Sequence, residues 1–357
     1  MAQVSATGSR HHTERTASIK PFMVRPLACA LALPFLGAAL GDGEDLGVAG
    51  EHALGVVDAT WMLQMQATGT RSLLPSNVTF EDTRPPPGGG RDLDLDMLLD
   101  VHSQACRTVY LTNIFTTRHD PQGHRRGIPG FKYFERYYRS ILALPGGRAS
   151  AVILYDYLPE DLVRNYSTSD GVISFKQVDI SNIDEQLGIN DLRFLVFEEQ
   201  VKHHPEWETI FMTDICDVTA IHNPCAFVSR NPDKIYVGSQ PNDLKPYHWI
   251  QRQFSFAGGK YLEWYDSLPD GDRVELSAGI LGGRRPVILR ALGMISGMVT
   301  DPNLARKTLG LEVTVNMAAV NYVAYTGFGK EGVVTGAPLH SEFRAYSNMT
   351  NLYFWHK

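Results

Sequence analysis

The chain has 357 residues, of which 43% are hydrophobic and 20% charged, and its formal net charge is −6. That composition is typical of a globular protein with one large domain or two modest ones, and it excludes an intrinsically disordered chain. The acidic balance gives no reason to expect nucleic acid as a partner. It remains compatible with a bound nucleotide or sugar phosphate, because a metal ion or a few arginines can hold such a group locally.

Cysteine usage excludes two further classes of protein. The chain has four cysteines, which are too few for a disulfide-rich scaffold, and it has no C-x-x-C pair that would indicate zinc. Two interpretations stay open for Cys216 and Cys225: a disulfide that closes a loop between them, or two partly buried free thiols.

The N-terminal part has the pattern of a targeting segment. Residues 1–25 are polar and basic, and residues 26–40 form an uncharged apolar run, PLACALALPFLGAAL. The run is shorter than the roughly 18–20 residues of a spanning helix, which favours a signal peptide, while the basic residues before it also suit a single-pass signal-anchor with a cytosolic tail. A soluble protein with an apolar leader is the third interpretation. The first two predict that the rest of the chain lies in the lumen of the ER or Golgi, anchored or secreted, and three N-glycosylation sequons agree with this location: Asn77, Asn165 and Asn348.

Residues 41–102 are predicted to be a stem or linker, because they are rich in turn-forming residues and contain the run PPPGGG. Residues 103–357 are predicted to form a single domain, in which strand-like and helix-like patterns alternate. This alternation predicts an α/β fold, with a mainly parallel, Rossmann-like sheet flanked by helices. The predicted strands are 107–115, 149–158, 171–180 and 207–214, and the predicted helices are 131–144, 159–166 and 190–205, the last with Asn190 or Asp191 as its N-cap.

Two aspartates follow the fourth predicted strand in the segment IFMTDICDVTAIHNPC. Ligands of parallel α/β sheets bind beyond the carboxyl ends of the strands, which is where Asp214 and Asp217 lie. Carboxylates there can hold Mg²⁺ or Mn²⁺ and, through the metal, the phosphates of a substrate. A turn in which one aspartate caps backbone amides is the alternative interpretation.

Several enzyme classes lack support in the motifs. No G-x-G-x-x-G follows the first strand, and no G-x-x-x-x-G-K-[ST] or G-x-S-x-G occurs, which disfavours dinucleotide-binding dehydrogenases, P-loop kinases and α/β-hydrolases. The segment DICDVT superficially resembles a phosphatase D-x-D motif, but its two aspartates are one residue too far apart. A phosphohydrolase therefore ranks below a transferase.

The segment around the aspartates resembles the D-x-D region of GT-A fold glycosyltransferases. It is similar to the D-x-x-D form of the glycosyltransferase domains of the lysyl hydroxylase type and of bacterial relatives. Further segments fit the same order over about residues 105–346: NDLRFLVFEEQV, LSAGILGGRR, VTVNMAAVNYVAY and GAPLHSEFRAY. The resemblance implies a metal-dependent transferase that moves a sugar from a nucleotide-diphosphate donor to a hydroxyl of a glycan, protein or lipid.

The resemblance also implies roles for individual residues. Asp214, Asp217 and His340 would coordinate Mn²⁺ or Mg²⁺. The remaining positions would contact the substrates: the donor phosphates or sugar at Arg193, the phosphates at Arg344, the donor sugar and the acceptor at Gly279 within the strand-and-turn SAGILGG, and the base and ribose at Thr112 and Asn113.

Two departures from the family pattern leave the catalytic base and the stereochemical outcome unassigned. Many relatives carry an aspartate in the segment where this chain has Asn316 and Asn321, and an amide cannot accept the proton of an acceptor hydroxyl. The H-x-x-G-x-x-K signature of several retaining families is also absent after His340. Two other functions remain open: a non-catalytic carbohydrate-binding relative, and a sugar nucleotidyltransferase.

Overall fold

The computed structural model describes residues 106–118, 120, 129–145, 148–245, 247–310, 313–341, 343 and 351–356. The predicted tail, apolar segment and stem (1–25, 26–40 and 41–102) lie outside the described residues, as do Asn77 and Asn348. Within the described ranges, no helix is both long enough and apolar enough to cross a membrane.

The first half of the domain alternates strands and helices as the sequence predicts. A short 3-10 helix, Phe131–Tyr133, precedes the first α-helix. The elements follow in the order β1 (Thr108–Ile114), α1 (Glu135–Ala143), β2 (Ala149–Tyr155), α2 (Glu160–Tyr166), β3 (Ile173–Gln177), α3 (Ile189–His203) and β4 (Thr209–Thr213).

The second half adds five more strands and most of the α-helices of the described residues. A π-helical turn (Ala324–Phe328) and a 3-10 helix (Lys330–Gly332) follow its last α-helix. Its elements are β5 (Val218–Ala220), α4 (Cys225–Arg230), β6 (Ile235–Asp243), α5 (His248–Ala257), α6 (Gly259–Ser267), β7 (Val274–Arg284), α7 (Arg285–Val299), α8 (Ala305–Thr308), α9 (Asn316–Val323), β8 (Val333–Val334) and β9 (Phe354–His356).

The main sheet has seven strands in the order β3-β2-β1-β4-β7-β6-β8. Strands β3, β2, β1 and β4 are parallel neighbours, whereas β7 is antiparallel to both β4 and β6, and β8 pairs in parallel with β6. The fold is therefore α/β with a mostly parallel, mixed sheet, compatible with a Rossmann-like arrangement. The chain passes from β1 outward to β3 and then returns to place β4 on the other side of β1, so the strand order reverses between β1 and β4.

Apolar side chains cover both faces of this sheet, because neighbouring residues of a strand point to opposite sides. On one face, Leu111 of β1 joins a core that contains the apolar sides of α3, α5, α6, α7 and α9. On the other face, Tyr110 joins a core built with α1, α2, α4 and the segments around Leu339 and Phe354. The sheet is thus the middle layer between two layers of helices.

Strand β7 differs from the expected strand-and-turn at SAGILGG, because it is continuous through this segment. The register pairs Phe211 of β4 with Gly282. A Cβ atom at Gly282 would lie only 2.1 Å from the Phe211 ring, so the glycine leaves room for an aromatic core residue.

The disulfide joins Cys106 to Cys225, with the two Cα atoms 5.9 Å apart, and the exposed Cys216 is not part of this bridge. The loop disulfide between Cys216 and Cys225 considered from the sequence is therefore wrong. The observed bridge links the residues that precede β1 to the first residue of α4. Because 119 positions separate the two cysteines, local spacing does not reveal the pairing.

Helix α3 begins one residue earlier than the sequence indicates, and its cap is different. Its N-cap is Gly188, which makes no side-chain capping bond, so the predicted cap at Asn190 or Asp191 is wrong. The Asp191 carboxylate instead forms an ion pair with Arg306 and accepts a hydrogen bond from the Thr314 hydroxyl at 2.8 Å.

Candidate functional site

A cavity of about 890 Å³ opens at the carboxyl ends of β1 and β4. Its volume is near the top of the range of about 300–1,000 Å³ that is usual for small-molecule sites. The position is the point where the strand order reverses, which is where open α/β sheets bind their ligands. The cavity is lined by residues from both halves of the domain, including Asn113, Arg193, Asp214, Asp217, Glu275, Gly279, Asn316 and His356.

Asp214 is the first residue after β4 and is fixed by its backbone and its side chain. Its amide donates to the Gly279 carbonyl at 3.0 Å, which joins the end of β4 to the middle of β7. One carboxylate oxygen accepts a hydrogen bond from the Arg193 guanidinium, and another nitrogen of that guanidinium donates to the Ala278 carbonyl at 2.9 Å. Arg193 is 7% exposed, so this ion pair forms one wall of the cavity. The partner of Arg193 is therefore a residue at the end of β4, and it does not lie one turn along the helix that carries Arg193.

Asp217 lines the same cavity, directly before β5. Strand β5 matters because it forms a two-stranded antiparallel sheet with β9, in which Val218 pairs with His356. The last described strand of the chain therefore brings a histidine beside the two aspartates.

His356 is the site residue that the sequence analysis missed. A Cβ atom at Gly279 would lie 2.9 Å from His356 Nε2 and 3.0 Å from Asp214 Oδ2, so both groups face the space above this glycine. Burial lowers the pKa of His356 to about 4, although the charge of Asp214 acts in the opposite direction. The imidazole is therefore neutral near pH 7, which is the form in which histidine binds metal ions.

His340 lies elsewhere and does not line the cavity. It is 1% exposed, and both ring nitrogens make hydrogen bonds to the backbone. The Nε2 atom accepts from the amides of Ser239 at 3.1 Å and Gly336 at 3.0 Å, while Nδ1 donates to the Ser341 carbonyl at 2.5 Å. This network gives His340 a structural position that holds the segment after β8 against β6.

The residues expected to contact a donor are only partly brought together. Asn113, Arg193 and Gly279 line the cavity. Thr112 is fully buried and does not line it, because it lies one residue further inside β1 than Asn113. Arg344 lies outside the described residues.

The two asparagines in the segment VTVNMAAVNYVAY have different environments. Asn321 is fully buried and holds α9 against β7 by accepting from the Leu276 amide and donating to the Leu276 carbonyl, both at 2.9 Å. Asn316 lines the cavity, and its carbonyl oxygen accepts a hydrogen bond from the Thr314 hydroxyl at 3.0 Å. Of the two positions, only Asn316 can contact a ligand in this cavity.

Glu275 is the second cavity residue without a role in the sequence analysis. It is fully buried in β7, and neither carboxyl oxygen makes a close hydrogen bond with a described residue other than the Asn242 side chain. Burial raises its pKa to about 7, while the nearby Asn242 amide lowers it. Its signal in the sequence is an acid inside the otherwise uncharged strand VELSAGILGG, which is the same kind of signal that identified Asp214.

The side chains at the carboxylate end suit a hard divalent cation in their chemistry. Aspartate oxygens and a neutral imidazole nitrogen are suitable ligands for Mn²⁺ or Mg²⁺. Among the described residues, however, no group of three or more His, Cys, Asp or Glu side chains is arranged to hold an ion. One oxygen of Asp214 is occupied by Arg193. The other oxygen, Oδ2, faces the space above Gly279 together with His356 Nε2, which leaves it available to a ligand.

A comparison with models of known protein families found no match to this chain, and a comparison with curated proteins found none either. The class that the fold and the cavity define is an α/β protein with a polar ligand site at the point where its strand order reverses.

Proposed function

We propose that this protein is a metal-dependent glycosyltransferase with a GT-A type of fold, which transfers a sugar from a nucleotide-diphosphate donor to a hydroxyl group. One observation carries the proposal. Asp214, Asp217, His356 and Arg193 line a single cavity at the reversal of strand order, although they come from three separate parts of the chain. Two carboxylates, a neutral imidazole and a guanidinium in one cavity suit a divalent cation with a diphosphate.

The metal ligands in this proposal are Asp214, Asp217 and His356, with His356 in place of His340. His340 already uses both ring nitrogens within the fold, whereas His356 Nε2 faces the same space as Asp214. Bound Mn²⁺ or Mg²⁺ would supply Lewis-acid stabilisation of the departing diphosphate.

The remaining donor contacts come from Arg193 and Asn113. The Arg193 Nε atom is buried and makes no hydrogen bond with a described residue, so it retains a donor for an anionic ligand. Asn113, at the end of β1, offers an amide that can hold the base or ribose of a nucleotide. Both groups orient the donor by hydrogen bonds, which is how a transferase fixes the reacting carbon.

Location in the secretory pathway, in the ER or Golgi lumen, is part of the proposal. The disulfide between Cys106 and Cys225 supports it, because such bonds persist in oxidising compartments and are rare in the cytosol. The apolar segment 26–40 would then be a signal peptide or a single-pass anchor.

Thermal unfolding of the full chain tests the proposal. The protein is melted alone, with Mn²⁺, and with UDP-, GDP- and CDP-sugars in the presence and absence of Mn²⁺. We expect one class of donor to raise the melting temperature by about 5 °C or more at saturating concentration, and only with Mn²⁺. Asp217→Asn should remove the shift, and Asp233→Asn, at an exposed aspartate away from the cavity, should retain it. A full metal-dependent shift in Asp217→Asn would overturn the metal assignment.

A non-catalytic carbohydrate-binding protein is the second candidate, and one observation favours it. Arg193 already neutralises the Asp214 carboxylate, so the buried acid has a partner within the protein. This candidate predicts that sugars bind with no effect of Mn²⁺ or nucleotide. The same melting experiment therefore separates the two functions. A nucleotidyltransferase has no such support. It would need a basic loop after β1, and most of the segment there (121–128) lies outside the described residues.

A further inference from the structure

Strand β7 extends beyond the end of β4 and forms a second wall of the cavity. The last residue pair between the two strands joins Thr213 to Ile280. The residues of β7 that precede this pair have strand partners only in β6. This extension, residues 274–278, contributes Glu275, Ser277 and Ala278 to the cavity lining. Glu275 is four residues from Gly279 in the same continuous strand, and a rise of about 3.3 Å per residue places their Cα atoms about 13 Å apart. That distance leaves space for a sugar ring between Glu275 and the carboxylate–histidine end.

The state of Glu275 indicates a missing polar partner. A buried carboxylate without a hydrogen bond is unfavourable, and folded proteins normally satisfy such a group. This protein does so at Asp191, which is equally buried and bonded to Arg306, Thr314 and Val315. Apart from the Asn242 side chain, which lowers its pKa, Glu275 has no bonded partner among the described residues, yet it lines the cavity. A ligand hydroxyl entering the cavity can donate the missing hydrogen bond.

Two exposed aromatic side chains line the same cavity. Tyr247 is 41% exposed and Trp249 is 39% exposed, and they lie at the N-terminal end of α5. Large aromatic rings at this exposure can stack on a flat, partly apolar ligand. A pyranose ring has an apolar C–H face and a rim of hydroxyl groups, so it complements aromatic rings at a cavity mouth and a carboxylate within. A lipid chain offers no hydroxyl groups along its length, and an extended peptide lacks this flat face.

We propose that this wall is the acceptor subsite, in which Tyr247 and Trp249 hold a sugar and Glu275 takes the proton from its attacking hydroxyl. The inference rests on the proposed glycosyltransferase function and narrows its acceptor to a carbohydrate.

In the transfer step the acceptor oxygen forms a bond to the anomeric carbon of the donor sugar. The bond from that carbon to the diphosphate oxygen breaks, and its electron pair leaves with the nucleoside diphosphate. The hydroxyl proton passes to the Glu275 carboxylate. A carboxyl that titrates near pH 7 is well matched to this role, and Asn316 is then not needed as a base.

The aromatic part of the subsite is tested by binding, without turnover. Saturation-transfer NMR is recorded on the full chain with methyl glycosides of glucose, galactose, mannose and N-acetylglucosamine, with and without UDP and Mn²⁺. A serine-containing peptide and a short-chain phospholipid are the competing acceptor probes. We expect at least one glycoside to bind and Trp249→Ala to weaken its binding at least tenfold. Tyr157→Ala, at a 54% exposed tyrosine outside the cavity, is the matched control and should bind as the wild type does.

The role of Glu275 is tested by separating acceptor binding from transfer. Glu275→Gln should bind the glycoside within about threefold of the wild type, because the amide keeps an oxygen acceptor. With the donor identified by the melting experiment, kcat for transfer should fall by about a hundredfold or more. Glu263→Gln, at an exposed glutamate of α6, should leave kcat unchanged.

The outcomes distinguish this inference from the proposed function. A nucleotide that shifts the melting temperature, together with no glycoside binding or with unchanged binding in Trp249→Ala, overturns the acceptor subsite and leaves the transferase standing. Glycoside binding that depends on Trp249 without any nucleotide effect supports the sugar subsite and overturns the transferase, and with it the base role of Glu275. Unchanged kcat in Glu275→Gln overturns that base role alone.

Discussion

Two buried acidic regions of this protein contrast in how their charges are satisfied. At the start of α3, the Asp191 carboxylate and the Arg306 guanidinium are almost completely buried, and each makes further hydrogen bonds. In the cavity, Glu275 has no hydrogen-bond partner among the described residues other than the Asn242 side chain, and Arg193 retains an unbonded Nε. The charged groups of the first region are paired within the fold, whereas the second region has more polar groups than partners for them. An excess of this kind is typical of a binding site.

Arg193 and Asp191 sharpen this contrast, because they are two residues apart in the same helix. Asp191 points toward α8, where its charge is matched by Arg306 and by the backbone that leads into α9. Arg193 reaches β7 and the end of β4, where it pairs with Asp214 at the cavity wall. One turn of helix thus supplies a structural ion pair to one side and a candidate ligand-binding group to the other.

The largest effect is expected where the satisfied region is broken. Arg306→Ala should lower the free energy of unfolding by about 3–5 kcal/mol, because the Asp191 charge would remain buried without its partner. Guanidinium chloride denaturation measures the change. Arg139→Ala removes an exposed ion pair with Glu135 and should cost only about 0.3–0.5 kcal/mol. A loss below 1 kcal/mol for Arg306→Ala would contradict the contrast drawn above.

A smaller effect is expected when the cavity is crowded. Gly279→Ala places a methyl group 2.9 Å from His356 Nε2 and 3.0 Å from Asp214 Oδ2, so the side chains must move apart. We expect a loss of roughly 1–3 kcal/mol in unfolding free energy, together with loss of any Mn²⁺-dependent thermal shift. Gly297→Ala in α7 meets no atom within 4 Å and should instead stabilise the helix by about 0.5–1 kcal/mol. Equal behaviour of the two variants would argue against a close approach at Gly279.

The third effect on stability is expected at Glu275, and it depends on pH. Its pKa rises from 4.5 in the unfolded chain to about 7 in the folded protein, so the folded state binds more protons between these values. Stability contributed by the protonated carboxyl is therefore present below pH 4.5 and lost as the pH rises through 7. Glu275→Gln should be more stable than the wild type at pH 8 by up to about 3 kcal/mol, and the gain should vanish near pH 4.

Urea denaturation at the two pH values measures this difference, with Glu263→Gln as the exposed control. The nearest titratable phenol, Tyr265, does not interfere, because burial raises its pKa to about 12. A gain in stability combined with a loss of transfer would mark Glu275 as a residue retained for function. The absence of any pH-dependent gain would show that the carboxyl is satisfied in solution.

Local patterns were sufficient to predict much of the fold. The strands and helices from β1 to β4 follow from apolar periodicity, and their alternation predicts the parallel part of the sheet. The antiparallel insertion of β7 beside β4 was not predicted, because strand pairing over this distance depends on complementary surfaces such as Phe211 against Gly282. The disulfide between Cys106 and Cys225 was missed for the same reason.

The candidate site shows the same division between local and distant signals. Asp214 and Asp217 were identified because a charge at the end of an apolar strand needs a partner or a ligand. Glu275 carries an equivalent signal within β7 and was overlooked. His356 has no local signal that distinguishes it from His340. Only the pairing of β9 with β5 brings His356 to the cavity, while the backbone around His340 occupies both of its ring nitrogens.

The amino-acid sequence by itself determined the elements, the α/β class and the strand end at which polar groups gather, since these follow from short-range periodicity and from the unfavourable burial of charge. The tertiary structure alone decided which distant groups share the cavity. Asp191 and Glu275 are both buried acids, and only three-dimensional packing provides partners for the first and leaves the second facing the cavity. The physical reason is that a side chain's protonation and bonding depend on neighbours that are close in space and distant along the chain.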